Sequence, residues 1–156
     1  RVVAGYCWEW EKEGRSDSDY VDIEIGDYRK SWNRDGGDPW AIDEGSIEEV
    51  GCIHTCQGLE FDYVGVIIGP DMKYRDGEIV TDHEGRASTD YSLRGVKKMM
   101  NEDPEEAQEI VDEVVKNTYR TLLSRGLEGC YIYCCDDQLE NYLRTRLENI
   151  NGSIEF

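Results

Sequence analysis

Two stretches of this chain hold side chains whose types and spacing could do chemistry. The first is His54-Thr55-Cys56-Gln57-Gly58-Leu59-Glu60-Phe61-Asp62, a loop dense in hydrogen-bonding groups that runs into an apolar segment. The second is Ser124-Arg125-Gly126, where an amphipathic pattern gives way to glycine. A guanidinium at such a helix end has a fixed, exposed origin. Its planar, permanently charged fork suits the charge that develops on a transferring phosphoryl group. Taken by itself, however, this arginine reads as an ordinary surface cation at a helix C-terminus, where the dipole favours it. His54 is as readily a histidine satisfied by its neighbours as a ligand contact. A metal-dependent hydrolysis would have to rest on Asp62, and the spacing sets no second acid beside it.

Positioning these groups calls for a buried sheet. Tyr63 to Ile68 is β-branched and aromatic with almost no polar alternation, which is how a strand covered on both faces reads. In open α/β sheets ligands are held by loops at strand ends, so the loop before it is the first place to look for a site. Val2–Cys7 and Gly129–Cys135 are expected as two further buried strands, all three runs lying parallel in one sheet. Asp103-Pro104-Glu105-Glu106 predicts a helix start, with Asp as N-cap and Pro in the first turn. Ala107, Val111, Val114, Val115, Thr118 and Leu122 then follow helical spacing, and Gly126 or Gly129 is expected to end that helix. Asp137 and Glu140 read as a capping pair for a last amphipathic helix through Leu139, Tyr142, Leu143, Leu147 and Ile150.

Elsewhere, Tyr20 to Ile25 alternates like a half-exposed strand, and Asp76-Gly77 predicts the turn of a hairpin from Met72 to Val80. Asp90 to Met100 reads as a short helix or loop. Arg29 to Gly45, rich in Asp, Gly and Trp and holding Pro39, reads as a surface loop or insertion. Within it, Trp40-Ala41-Ile42-Asp43-Glu44 is too short an apolar run for a metal-binding strand end and reads as loop. Trp8 and Trp10 could stack on bases or fill a core.

A phosphate loop, G-x-x-x-x-G-K-[ST], is needed to wrap the β and γ phosphates of a nucleotide. The dipeptide Gly-Lys occurs nowhere in the chain. By itself this sequence is therefore not expected to be a complete nucleotide hydrolase.

HTCQGLEFDYVGV resembles motif V of superfamily 1 helicases, and NTYRTLLSRGLEGCYIYC resembles their motif VI. The two occur in the family's order between Gly51 and Cys135. With AGYCWEW near the start, the chain most resembles uncharacterised prokaryotic helicase-like proteins related to the helicase region of Schlafen proteins. The resemblance implies an α/β fold: a RecA-like three-layer domain with a mainly parallel sheet plus a β-hairpin insertion. It implies one domain over residues 1–156, the second motor lobe of a longer chain. Arg125 would be the arginine finger, with Arg120 a weaker candidate. Gly58 would let the backbone approach a phosphate, Glu60 would accept from a ribose hydroxyl, and Gln57 would lie between the nucleotide and nucleic-acid sites. His54 and Thr55 would touch the nucleic-acid backbone. ATP and Mg2+ would be held mainly by the other lobe of the same chain, and DNA or RNA would be the partner, with no membrane. The other function class left open is a non-catalytic interaction domain on a degenerate helicase lobe.

Composition limits these readings. Acidic residues number 35 against 17 basic ones, a net charge of −18, so the surface at large repels nucleic acid and anionic membranes. A local basic patch is compatible with that total. Cys7, Cys52, Cys56, Cys130, Cys134 and Cys135 form no C-x-x-C pair, and most fall in expected core strands, so they read as buried free thiols. No signal peptide or apolar run near the roughly 20 residues of a membrane span is present, which makes a reducing cytoplasm the expected setting. The opening on a strand-like run without Met leads to the expectation that something precedes it.

Overall fold

The structure, a computed structural model, describes residues 1–10, 20–33 and 40–151. A six-stranded sheet carries the strands in the order β2, β3, β4, β1, β5, β8. These are β1 (Val2–Ala4), β2 (Ile23–Ile25), β3 (Tyr28–Trp32), β4 (Glu49–Gly51), β5 (Phe61–Ile68) and β8 (Gly126–Cys134). β3, β4, β1, β5 and β8 run parallel, and β2 closes one edge antiparallel to β3. The runs at Val2, Tyr63 and Gly129 are thus parallel strands of one sheet, as their apolar patterns require.

Alternation along β5 divides the core. Val64, Val66 and Ile68 point to one face with Val3, and there α1 (Ile53–Cys56), α2 (Val96–Glu102), α3 (Pro104–Leu123) and α4 (Asp137–Asn151) pack through Cys56, Val96, Val111, Val115, Tyr119, Leu122 and Leu139. Ala4 and Ile67 point to the other face, with Tyr6, Ile23, Trp32, Val50 and Cys52. Among the described residues no helix packs in that second cluster. Part of the face stays open as a cavity of about 310 Å3 lined by Val2, Ile25, Tyr28, Ile67, Tyr131 and Tyr133.

α3 forms for the reasons its sequence carries. The Asp103 carboxylate accepts from the Glu106 amide at 3.1 Å, and Pro104 occupies the first turn. Its buried positions recur every three to four residues from Ala107 to Leu122, so one stripe faces the sheet. The hairpin is also as the turn residues demand: Asp76 and Gly77 both have positive φ, 51° and 92°, joining β6 (Met72–Arg75) to β7 (Glu78–Thr81).

Several expectations give way. Arg29 to Trp32 is not loop but part of β3, and Trp32 is fully buried; its Lys and Arg neighbours masked the strand. β1 ends at Ala4 rather than Cys7. α3 ends at Leu123, capped by Ser124, while Gly126 and Gly129 both lie in β8. β8 is an edge strand, so Tyr131, Ile132 and Tyr133 are exposed instead of buried, as is Cys130. The cap of α4 is Asp136, whose carboxylate accepts from the Leu139 amide at 2.9 Å, in place of the Asp137–Glu140 pair. Leu147 and Ile150 at the far end of α4 are exposed. The charged residues 11–19, and Pro39, lie outside the described residues.

Candidate functional site

β4, α1 and the turn at 57–60 form one continuous path across the sheet. α1 is N-capped by Cys52, just past the carboxyl end of β4, and after the turn the chain enters β5 at its amino end. The candidate residues are thereby sorted to opposite edges of the sheet. His54 is exposed on α1. Thr55 is half-buried and its hydroxyl donates to the side-chain Oδ1 of Asn33 at 2.8 Å, with the Cys52 thiol 3.3 Å away. Asn33 follows β3, so this pair marks the carboxyl ends of β3 and β4. Asn33 is 6% exposed, and nothing local in the sequence marks it as a partner of Thr55.

The other group gathers at the amino ends of β5 and β8. Gln57 caps α1 and is exposed; Gly58 has φ +79° with open space where a side chain would stand. Glu60 is exposed. Arg125 is half-buried against this turn. Its Nη1 donates to the Leu59 carbonyl at 3.1 Å, Nε to the Thr121 carbonyl at 3.0 Å, and Nη2 to the Ser124 hydroxyl at 3.1 Å. The Phe61 amide in turn donates to the Arg125 carbonyl at 2.8 Å. Two segments more than sixty residues apart are thus fastened into one edge. Three of the five guanidinium N–H groups are engaged, and two remain. Arg120 stays apart: it is exposed and donates to Asn117 of its own helix at 3.2 Å.

Trp8 and Trp10 belong to an aromatic cluster around Trp32. Trp32 stacks on Tyr6 (5.6 Å, 15°) and on Trp10 (5.9 Å, 23°), and its indole N–H donates to the Trp8 carbonyl at 3.2 Å. Both are half-buried packing groups. Trp40-Ala41-Ile42-Asp43-Glu44 is irregular backbone with Trp40 buried. Among the described residues no three of His, Cys, Asp or Glu are grouped as a metal site, and Asp62 is exposed.

One buried constellation escaped sequence reasoning. Beyond β5, Asp71 is fully buried, ion-paired with Arg86 at 2.8 Å and accepting from the Tyr119 hydroxyl at 2.5 Å. Arg86 also pairs with Asp90 at 2.5 Å, and the Gly69 amide donates to the Tyr119 oxygen at 2.8 Å. Burial raises the Asp71 carboxyl's pKa, against the pull of Tyr119 and Arg86. Desolvation also pushes the Cys7 thiol and the Tyr119 phenol well up, so both stay neutral. This lattice clamps the carboxyl ends of β1 and β5 to α3. Its members are joined by long-range contacts that carry no periodic signal.

No helix among the described residues is long and apolar enough to cross a membrane. The uncharacterized protein YPL245W of Saccharomyces cerevisiae is 27% identical over 147 residues, covering 92% of this chain. The chain spans about a third of that relative's length, 31%. No solved structure matches it. The family model described as Schlafen group 3, DNA/RNA helicase domain, matches residues 1–136, with the strand, turn and arginine just described inside the match, and the chain belongs to that family.

Proposed function

We propose that this domain is the second, RecA-like motor lobe of a nucleic-acid-dependent ATPase or helicase. It would supply motif V and the motif VI arginine while another lobe of the same longer protein holds most of the nucleotide. The observation that carries this reading is the junction of Arg125 with the Leu59 turn at the amino ends of β5 and β8. The donor set there fits the edge of a nucleotide. Arg125 keeps two free N–H groups, Gly58 leaves its backbone open to a close approach, and Glu60 is an exposed acceptor for a hydroxyl. ATP with Mg2+ would supply the transferring phosphoryl group. Arg125 would stabilise its developing charge, and its tethers to Thr121 and Ser124 would hold the fork in place. His54 and Thr55, at the opposite sheet edge, would meet the nucleic acid. Gln57, at the end of α1, lies on the covalent path between the two.

A second reading has its own support. Arg125 satisfies three acceptors within the domain, which is how a purely structural arginine behaves, and the open tyrosine-lined face suits an interaction domain. Steady-state ATP turnover by the full-length protein, with and without a single-stranded oligonucleotide, separates the two. Motor function requires turnover that Arg125→Lys lowers about a thousandfold with nucleotide affinity nearly kept. Turnover within a few-fold of wild type in that variant would leave the interaction domain as the better reading.

A further inference from the structure

A chain of net charge −18 must concentrate its cations wherever it meets a polyanion, and one segment does so. Residues 83–97 wrap over the carboxyl ends of β1 and β5. They are pinned there by the Ala87 amide on the Tyr6 carbonyl (3.0 Å) and by Arg86 between Asp71 and Asp90. This segment walls a cavity of about 260 Å3 whose lining includes His83, Ser88, Arg94 and Lys97. Arg94 and Lys97 are exposed, and neither side chain enters any of the ion pairs or hydrogen bonds found among the described residues. Lys98 beside them holds Glu102 only loosely, at 3.5 Å with both side chains exposed.

Most of the acids close by are already occupied. Asp90 takes Arg86 and caps Ser92; Asp82 takes Lys73 and the Glu84 amide; Glu9 accepts from the Ser88 amide and the Thr89 hydroxyl. Glu84 is exposed on the same segment but is not part of the cavity wall. The floor is rigid because a buried ion-pair lattice holds it, so cations on its rim are presented without the ordering cost of a loose loop. The rim also lies on the same sheet edge, at the carboxyl ends of the strands, as Thr55 and Asn33.

We infer that Arg94 and Lys97 form a phosphate-binding rim that seats the backbone of a single-stranded nucleic acid on the carboxyl edge of the sheet. The inference rests on the motor-lobe reading above and adds a binding surface outside the two motifs. Binding by such a rim is backbone-directed, insensitive to base sequence and steeply salt-dependent.

The test uses the full-length protein and a fluorescent single-stranded oligonucleotide, titrated at several salt concentrations, with ATP turnover measured in parallel. Arg94→Glu combined with Lys97→Glu should weaken binding tenfold or more at low salt. It should flatten the log–log salt slope by about 1.4, at about 0.7 per phosphate contact on a single strand. Arg94→Gln with Lys97→Gln should give the same slope change without like-charge repulsion, and Arg146→Glu on α4 should change neither. Unstimulated ATP turnover should persist in all of them. Wild-type binding and turnover with unaltered binding by the rim variants would overturn the inference and leave the motor-lobe reading standing. Wild type that neither binds nor hydrolyses would overturn both. Equal losses from Arg146→Glu, or binding displaced by millimolar inorganic phosphate with no dependence on oligonucleotide length, would also overturn the rim.

Discussion

The Arg125 guanidinium donates to the Leu59 carbonyl across 3.1 Å, so the turn that feeds β5 and the helix end that feeds β8 move as one piece. A substitution at Arg125 therefore touches both the geometry of the turn and any ligand chemistry beyond it. Predictions for this edge must separate the two.

His54→Ala and Arg125→Lys should fail differently in the full-length protein. Arg125→Lys keeps the charge and loses the fork, so ATP turnover should fall with and without nucleic acid. His54→Ala, at the other sheet edge, should leave unstimulated turnover near wild type and weaken the stimulation by single-stranded nucleic acid, with a shallower salt dependence. Turnover assays over a salt series check both. Equal loss of unstimulated turnover in the two variants would contradict the separation of the edges.

Arg86→Met should be among the costliest changes in the domain. It leaves Asp71 and Asp90, 0% and 3% exposed at the side chain, without their cation. Removing one partner of a buried pair costs about 3–5 kcal/mol. The melting temperature should fall by on the order of 10 °C, as read by thermal circular dichroism. A fall of only a degree or two would mean that water reaches the lattice.

Gly5→Ala should destabilise although alanine is the smallest possible addition. A Cβ there would stand 2.6 Å from Cζ of Tyr119 and closer still to its hydroxyl. Tyr119 is held by Asp71 and the Gly69 amide, so it cannot simply swing away. Overpacking of this kind costs roughly 1–3 kcal/mol, measurable by urea denaturation.

Asp136 should give the domain an acid-side stability step. The Arg75 guanidinium holds its carboxyl down to about 2, helped by the Tyr74 and Leu139 amides. A carboxylate with a folded pKa below its unfolded value stabilises the fold above the unfolded value, near 3.9, and ceases to as the pH falls through the folded one. The difference in melting temperature between wild type and Asp136→Asn should thus be full at pH 6 and shrink between about pH 4 and pH 2. A difference constant across that range would remove Asp136 from the account. Asp136→Ala, which also loses the cap of α4, should cost a further ~1 kcal/mol.

What the sequence determined by itself was whatever local chemistry and period could express. The Asp103-Pro104 start of α3, its buried stripe, the Asp76-Gly77 turn and the apolar run of β5 each follow from residues within a few positions of one another. The segment at 54–60 and Arg125 were also legible as candidates, because glycine, polar clustering and a helix end mark them, but the expected loop is in part the short helix α1. Only the tertiary structure decided how those pieces meet. β3 was hidden because Arg29 and Lys30 break the apolar pattern, and its burial rests mainly on Trp32 finding Tyr6, Trp8 and Trp10. β8 reads like a buried strand, but it lies at the sheet edge, where one side of an apolar run meets no neighbour. The contacts between Arg125 and Leu59, Thr55 and Asn33, and Asp71 and Arg86 join residues 66, 22 and 15 positions apart. Such contacts depend on strand order and register, which residue periodicity does not encode.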